Sequence, residues 1–389
     1  MGYETRCVRA KDEEHEEITK FSTEVFSVDF ENFLPFIYRK GAPTGHFHFV
    51  VRENGELAAS VLNYPIKIRV LDRDILAYGV GTLCVREESR GRGYMDDMLA
   101  ECLLEASREG AVFSVLSGQR QRYGYYGYSV SEDLLSFGFS HSSLRHSIGQ
   151  RPSNYTLREA KKSDGGTLVG IMKTQKVYVE REPDDFILVA AHDFRKTYLV
   201  LEGDKPVGYV VMNRENDSAT EVVLVPGAEL DELVLALREK FQQSTFFHVP
   251  KSEGYLCRKL FREGSDIYST DEASPSILDF PKVIEAFGDL LATERKVPDG
   301  KFVFHIDSHP FYDKIGISKE GVTHGTLEIS VKDGKFRVVP TDAEPDVSLP
   351  YLRAIELLFT GASQWDRDLP GWAHAILPLP FTIPAADKV

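Results

Sequence analysis

The sequence predicts a mixed α/β fold class, in which two related α/β segments precede a third segment of the α+β kind. Residues 1–145 and 146–275 both give the order strand, helix, antiparallel strands, helix, strand, which indicates a diverged internal duplication. Residues 276–389 instead give a helix, several strands and a late helix. A chain of 389 residues is long enough for two or three domains, and we predict three domains at these boundaries.

Turn residues and hydrophobic periodicity define the elements of the first segment. Asn54-Gly55 tolerates positive φ at low cost and predicts the turn of a hairpin, and a further strand covers 74–85. Beyond a short loop, the apolar residues of 95–106 recur at i, i+3, i+4, i+7, i+8 and i+11, which predicts a helix with one buried face. Gly110 ends this helix, and a strand at 112–116 follows it.

The second segment repeats these signals, with a hairpin turn at 202–204 and an amphipathic helix within ELDELVLALREKF. The loop before that helix differs, because Pro226-Gly227-Ala228-Glu229 stands where the first segment has Arg90-Gly91-Arg92-Gly93. Glycine and positive charge are both reduced, so an anion would lose its binding site there. In the third segment, Ser348 is expected to cap a helix with Pro350 in its first turn.

The charge balance limits the classes of partner. The chain has 46 Lys and Arg against 60 Asp and Glu, and its net charge of −14 disfavours nucleic acid and anionic membranes. The charge favours a basic or polyamine partner, although solubility alone also explains it. Four cysteines lie scattered without CxxC spacing, and the first residues contain no apolar signal region. We therefore expect a cytoplasmic protein with reduced thiols.

One short run of residues has the chemistry of metal ligands. His305, Asp307 and His309 alternate along the sequence and would face the same side of a strand. Pro310 follows them, and no fourth ligand is indicated. We therefore expect no metal.

The most informative motif is LCVREESRGRGYMDDML, in which a strand, a glycine-arginine loop and a helix follow one another. Gly91 and Gly93 let the backbone approach an anion closely, and the free amides and dipole of the following helix favour a phosphate group. Arg90 and Arg92 add positive charge. The loop therefore indicates a phosphate or pyrophosphate site, although a tight strand-to-helix turn with two solvated arginines also explains it.

Two motifs carry a resemblance to a known superfamily. Arg90-Gly91-Arg92-Gly93-Tyr94-Met95 resembles the acyl-CoA pyrophosphate loop of GNAT N-acetyltransferases, commonly written (Q/R)xxGx(G/A), with Met95 in place of a small residue. Further along, Tyr123-Gly124-Tyr125-Tyr126-Gly127-Tyr128 resembles the F-Y-x-x-x-G-F ending of that superfamily. Together the motifs cover about residues 1–140. The whole layout resembles the enhanced-intracellular-survival (Eis) family of bacterial acetyltransferases.

The resemblance implies tandem GNAT folds, the second of them degenerate, followed by a domain similar to sterol carrier proteins. It implies that residues 90–94 hold the pyrophosphate of acetyl-CoA, and that backbone groups of Leu83, Cys84 and Val85 bond its pantetheine arm. An amide of that strand could also face the oxyanion that develops during acyl transfer. The acceptor would be a primary amine of an aminoglycoside-like or polyamine-like molecule. The family also implies a homo-oligomer such as a hexamer.

Candidate residues for the proton transfers follow from chemistry and from the resemblance. Tyr123 is predicted to protonate the leaving thiolate, because a phenol with a pKa near ~10 is neutral at pH 7. A packing role for Tyr123 is the alternative, with Tyr126 and Tyr128 as competing tyrosines. The resemblance implies that the C-terminal carboxylate, here on Val389, accepts the proton of the amine, although the family often ends in an aromatic residue. A surface tail is the alternative.

One further carboxylate is a candidate for binding the acceptor. Asp29 lies in the low-periodicity stretch Ser27-Val28-Asp29-Phe30 and is predicted to bind the amine, unless it is only a surface group.

A function of another class also stays open. In that alternative, the C-terminal domain carries an apolar molecule and the first domain binds CoA only as a regulator. A hollow apolar face in the third segment would favour binding, whereas a face filled by residues such as Leu358, Phe359 and Trp365 would favour catalysis.

Overall fold

A computed structural model gives the fold of residues 4–131, 134–250, 254–270, 273–360, 369–384 and 387. The strands of these residues form two seven-stranded sheets and one four-stranded sheet. None of the helices within these ranges has the length and apolar character that crossing a membrane requires.

The first segment follows the predicted order of elements. Asn54 and Gly55 have φ of 51° and 90° at the turn between its second and third strands, which is the left-handed geometry expected there. The elements in chain order are β1 (Val8–Arg9), α1 (His15–Phe26), α2 (Phe30–Phe33), α3 (Pro35–Tyr38), β2 (His48–Glu53), β3 (Glu56–Val70), β4 (Arg73–Val85), α4 (Tyr94–Arg108), β5 (Phe113–Leu116) and α5 (Arg120–Tyr123).

The second segment repeats the pattern of a strand, a helix, a hairpin and a strand-helix-strand unit. The first segment ends with β6 (Leu134–Phe139) and α6 (His141–Ser147). The elements of the second segment are β7 (Tyr155–Glu159), α7 (Gly165–Met172), β8 (Val177–Val179), α8 (Phe186–Ala190), β9 (Lys196–Glu202), β10 (Lys205–Met212), β11 (Ser218–Leu224), α9 (Leu230–Phe241), β12 (Thr245–Pro250), α10 (Gly254–Glu263) and β13 (Asp266–Thr270).

The third segment combines a small mixed sheet with helices. Its elements are β14 (Ser274–Ile277), α11 (Phe280–Glu294), β15 (Gly300–Ile306), α12 (Pro310–Ile315), β16 (Gly325–Lys332), β17 (Lys335–Pro340), β18 (Val347–Leu349), α13 (Tyr351–Phe359) and α14 (Gly371–Ile376).

The two large sheets have matching strand orders and exchange a strand. The orders are β1-β2-β3-β4-β5-β14 and β7-β9-β10-β11-β12-β6-β13, with β8 added beside β3. β4–β5 and β11–β12 are parallel pairs at equivalent places. β6 leaves the first segment to pair with β12, whereas β14 follows the second segment and pairs with β5. The predicted tandem arrangement is confirmed, and each sheet is completed by a strand from outside its own segment.

The first sheet lies between two apolar layers. Residues of α1 and α3, such as Ile18 and Ile37, form one cluster with alternate positions of the sheet. Residues of α4, such as Met98 and Leu103, belong to a second cluster that continues into the third segment. The α1–α3 layer and α4 therefore cover opposite faces, and the third segment shares the core of the first.

The predicted helix start at Ser348 is wrong. Ser348 lies in β18, which pairs in parallel with β15, and α13 begins at Tyr351 with Pro350 as the flanking residue. The Asp346 carboxylate accepts the amide of Val303 at 2.7 Å, and this bond together with the ladder draws the segment onto the sheet edge. Strand pairing with a distant partner thus overrides the local capping signal.

Candidate active site

The parallel strands β4 and β5 separate at one end of the first sheet. Their pairing covers Ala77–Phe113 to Gly79–Val115, and β4 continues for six more residues beside β3 alone. Since Arg86 donates its amide to Ala58 of β3 at 2.9 Å, the amides of Val85 and Leu83 point to the opposite edge. Two backbone amides therefore face the open gap, where they can bond an extended ligand.

A bulge bends β4 at the same place. The register between β3 and β4 shifts between Ser60 and Leu62 of β3, so that Thr82 and Leu83 of β4 lie opposite a single residue of β3. Thr82 has φ of 45°. Cys84 pairs with Ser60, and burial of its side chain raises the pKa of the thiol to about 12. Bulges re-aim strands beside active sites. Local sequence gave no signal of this bulge.

The glycine-arginine loop leads directly into α4. Gly91 and Gly93 have φ of 78° and 81°, the left-handed region that glycine adopts without strain. A Cβ at Gly91 would meet no atom within 4 Å, so open space lies beside the backbone. Within the described ranges, the amides of residues 91–96 have no hydrogen-bond acceptor. This cradle of free amides at a helix N-terminus fits a diphosphate.

Glu53, at the end of β2, organises the loop and was not identified from the sequence. Its carboxylate accepts hydrogen bonds from Arg92 at 2.7 Å, from Ser89 at 3.1 Å and from the Tyr94 hydroxyl. The bond from Tyr94 lowers the pKa of Glu53, so the carboxylate stays ionised at neutral pH. Arg92 is thereby held beside the amides, while Arg90 is exposed.

The equivalent loop of the second segment is closed. The Glu229 amide, which precedes α9, donates to the Tyr155 hydroxyl at 2.9 Å, and the Ala228 amide donates to Val225 O at 3.0 Å. Two of the amides that an anion would need are therefore occupied by the protein.

Tyr123 ends α5, next to β5, and its ring is half-buried. The ring lies on Gly118, where an added Cβ would be 2.6 Å from Tyr123 Cε2, and meets the edge of Tyr128 at 6.4 Å. Burial raises the pKa of Tyr123, so the phenol stays protonated at neutral pH. The described residues offer its hydroxyl no hydrogen-bond partner. A fixed ring with a free, neutral hydroxyl suits a proton donor.

The neighbouring tyrosines are engaged elsewhere. Tyr126 donates to Asp96 at 2.6 Å, Tyr128 bonds Ser114 at 2.9 Å in the core, and Tyr125 is 78% exposed. Among the four tyrosines of this run, Tyr123 alone combines a half-buried ring with a hydroxyl that no described residue engages.

The third segment fixes the turn that carries Tyr123. Gly127 has φ of 90°, and a Cβ there would lie 2.9 Å from Ser276 Oγ and 3.1 Å from the Tyr312 ring. His309 bonds Gly124 O at 3.2 Å through Nε2. The glycine of the second motif is therefore required by close packing against the third segment.

A cavity of about 290 Å³ opens on the face of the sheet that carries α1–α3. Phe36 and Tyr64 supply aromatic walls, and Asp185, Arg181 and Asp387 line it from distant parts of the chain. Burial, together with the nearby Asp387 and Asp185 carboxylates, raises the pKa of Tyr64 to about 12. Asp185 has no cationic partner among the described residues. Such a site suits a cation with an apolar body.

The structure separates the predicted acceptor residue from this cavity. Asp29 is exposed at the start of α2, accepts the Asn32 side chain at 2.7 Å, and lines a neighbouring depression with His15 and Lys20. Val389 lies outside the described residues. Asp185 and Arg181 were missed because their approach to α3 depends on the packing of the second segment.

No three or more potential ligands converge on a metal site within the described ranges. His305 bonds Thr326 at 2.8 Å through Nδ1, and His309 bonds Gly124, so two of the three alternating residues have other partners.

Comparison with known proteins identifies the first domain. Residues 6–131 match the family model described as acetyltransferase (GNAT) domain, which contains both motifs and β1–β5. The first segment is thus a GNAT acetyltransferase domain, as the motifs predict. No curated protein sequence matches the chain.

Solved structures extend the likeness to the whole fold. A GCN5-related N-acetyltransferase from Anabaena variabilis matches with 16% identity and a TM-score of 0.69, over 98% of both chains. An Enterococcus faecalis protein described as a probable N-acyltransferase matches with 14% identity and a TM-score of 0.69, also over 98% of both. Eis1 from Mycobacterium abscessus matches with 16% identity and a TM-score of 0.62, over 98% of this chain and 97% of that one.

Proposed function

We propose that the protein transfers the acetyl group of acetyl-CoA to a primary amine, by direct attack of the amine on the thioester. One observation carries the proposal: the open β4–β5 gap, the free amides of residues 91–96 and the Tyr123 hydroxyl occur together in the GNAT domain.

The residues of the loop fit the donor. The amides of 91–96 would bond the diphosphate, with Arg90 and Arg92 adding charge, and the amides of Leu83 and Val85 would bond the pantetheine arm. Acetyl-CoA would supply the activated acetyl group. An amide facing the gap would also stabilise negative charge on the carbonyl oxygen.

Two proton transfers accompany the reaction. A bond forms between the amine nitrogen and the acetyl carbon while the C–S bond breaks, so the amine loses a proton and the sulfur gains one. Tyr123 holds the proton for the sulfur. We propose the Val389 carboxylate as the acceptor of the amine proton, as the Eis resemblance implies.

The acceptor is an amine of the polyamine or aminoglycoside kind. The cavity supports this, because Asp185 offers a carboxylate to an ammonium group while Phe36 and Tyr64 offer aromatic faces. The net charge of −14 attracts the same class of molecule.

The alternative function, in which the C-terminal domain carries an apolar molecule, has less support. Leu358 and Phe359 of α13 are buried, and described residues of the C-terminal tail (numbered 377–389) cover them. The Leu379 amide donates to Leu358 O at 2.7 Å, and the Phe381 ring packs at a tilt against Phe359 with 4.9 Å between the ring centroids. The part of the apolar face that these residues form is filled by the chain itself. Trp365 lies outside the described residues. The likeness of this segment to sterol carrier proteins remains a prediction.

The assembly and compartment belong to the proposal as well. We expect a cytoplasmic homo-oligomer such as a hexamer, with no nucleic acid or membrane partner. Ile267 and Tyr268 of the edge strand β13 and Phe261 of α10 have exposed apolar side chains, which are consistent with a contact between copies.

The experiment is the release of thiol from acetyl-CoA with a panel of a polyamine, an aminoglycoside, a peptide amine and no amine. We expect release with a cationic amine, and a fall in kcat of about a hundredfold or more in Tyr123→Phe. The matched control, Tyr125→Phe, keeps the wild-type rate because that ring is exposed. Release with no amine, or full turnover in Tyr123→Phe, would contradict the proposal.

A further inference from the structure

A buried ionic cluster joins the second segment to the tail of the chain. The Arg181 side chain is 1% exposed, and its Nε donates to Asp387 Oδ1 at 3.0 Å. Its Nη2 donates to Glu221 Oε2 of β11 at 2.8 Å. The Tyr209 hydroxyl of β10 donates to the same Glu221, and the guanidinium lies 4.9 Å above the Phe186 ring. The Nε, Nη1 and Nη2 atoms of Arg181 thus all donate to carboxylates, and one face of the guanidinium lies on an aromatic ring.

The cluster depends on its one cation. Asp387 and Glu221 place two carboxylates around a single guanidinium, and their side chains are 4% and 9% exposed. Without Arg181, the two negative charges would face one another in a site that water scarcely reaches. Asp387 would then be driven out of the site, because the tail has fewer constraints than β11.

The tail contacts the first and third segments as well as this cluster of the second segment. Phe381 packs against Phe113 of β5 at 5.1 Å and Phe287 of α11 at 5.1 Å. Ile383 is 3% exposed, and the Asp387 amide closes a turn on Pro384 O at 3.0 Å. Phe381 is therefore held by aromatic contacts with the first and third segments, and Asp387 is held by Arg181.

The cluster also forms a wall of the amine cavity. Arg181 and Asp387 both line it, together with Tyr64 of β3 and Asp185. A change in the position of Asp387 would alter the space and charge that an acceptor meets.

We propose that Arg181, braced by Glu221 and Tyr209, is a positioning residue that fixes Asp387 as a wall of the amine cavity. The inference rests on the proposed acetyl transfer. It gives the degenerate second segment a definite role, because that segment holds the tail at the acceptor site of the first segment.

The test compares Arg181→Met and Arg181→Lys with wild type in two independent measurements. Hydrogen exchange of the full-length protein reports the tail residues 377–389, and steady-state kinetics report kcat/KM for the amine and KM for acetyl-CoA. We expect Arg181→Met to speed exchange in the tail and to lower kcat/KM for the amine about tenfold or more, with KM for acetyl-CoA unchanged. Arg181→Lys, which keeps the charge, restores part of both.

Arg73→Met is the matched control. Arg73 pairs with the buried Asp289 at 2.9 Å between the first and third segments, away from the cavity. We expect it to lower thermal stability without changing kcat/KM for the amine. If Arg181→Met does not fold, Asp387→Asn removes the same charge pair with little change in volume.

Three results would overturn the inference. One is an unchanged kcat/KM for the amine in Arg181→Met and Asp387→Asn. Another is an equal loss for amine and acetyl-CoA, which would indicate general damage. The third is unchanged exchange of the tail. If the wild-type protein acetylates no amine, both the proposed function and the role of Asp387 in the amine cavity are refuted. Hydrogen exchange of the tail still shows separately whether Arg181 anchors the tail.

Discussion

Two alanine substitutions can test whether the free amides of residues 91–96 bind the diphosphate. Both substitutions are expected to lower the free energy of unfolding by the same amount. Gly91 and Gly110 lie at opposite ends of α4, with φ of 78° and 76°, and a Cβ at either would meet no atom within 4 Å. The left-handed backbone costs an alanine about 1 kcal/mol at each position. Only at Gly91 does the methyl group enter the space beside the amides that would bond the diphosphate.

The two variants therefore separate stability from binding. Losing one hydrogen bond to a charged group costs about 2 kcal/mol, so we expect Gly91→Ala to raise the Kd for CoA about thirtyfold, and Gly110→Ala to leave it unchanged. Denaturant unfolding measures the stability of both variants, and calorimetric titration measures the Kd. Equal Kd values for the two variants would refute the assignment of the loop, whatever their stability.

Three further predictions concern the cavity, pH and the tail. Asp185→Asn should raise KM for a cationic amine about tenfold, because it removes the carboxylate that would pair with an ammonium group. Asp184→Asn, at the exposed neighbouring residue, should leave this KM unchanged. Steady-state kinetics with an amine that carries no further positive charge check whether the effect of Asp185 depends on the charge of the acceptor. Burial lowers the pKa of His48 from 6.5 to about 4. The unfolded chain therefore gains a proton first, and we expect the free energy of unfolding to fall by about 3 kcal/mol as pH drops from 6.5 to 4. Denaturant titrations at each pH should show a weaker pH dependence in His48→Asn. Phe381→Ala should lower the free energy of unfolding by about 3 kcal/mol, measured by denaturant unfolding, because it empties a site among three phenylalanine rings.

Local signals in the sequence were sufficient for the loop and its helix. The apolar spacing of α4 and the glycines of the loop act within a few residues, so they predict both the helix and the positive φ angles of the loop glycines. The repeated order of elements likewise predicts the tandem sheets. Tyr123 was separable from Tyr126 and Tyr128 only in the structure, because the partners of those hydroxyls, Asp96 and Ser114, lie in other elements.

Features that depend on distant pairing were not predictable in this way. The exchange of β6 and β14 leaves each local pattern intact, since a strand has the same alternation beside any partner. Ser348 has a capping residue's chemistry but lies in β18. Nothing in the sequence distinguishes Glu53 and Asp185 from ordinary surface carboxylates. They reach the site only because the hairpin and the second segment bring them there.

A crystal structure with CoA bound would show whether the free amides of residues 91–96 hold the diphosphate. We expect diphosphate oxygens about 3 Å from the amides of residues 91–96, and the sulfur within the β4–β5 gap on the side of the Tyr123 hydroxyl. A CoA molecule bound at another surface, with those amides still facing solvent, would contradict this expectation.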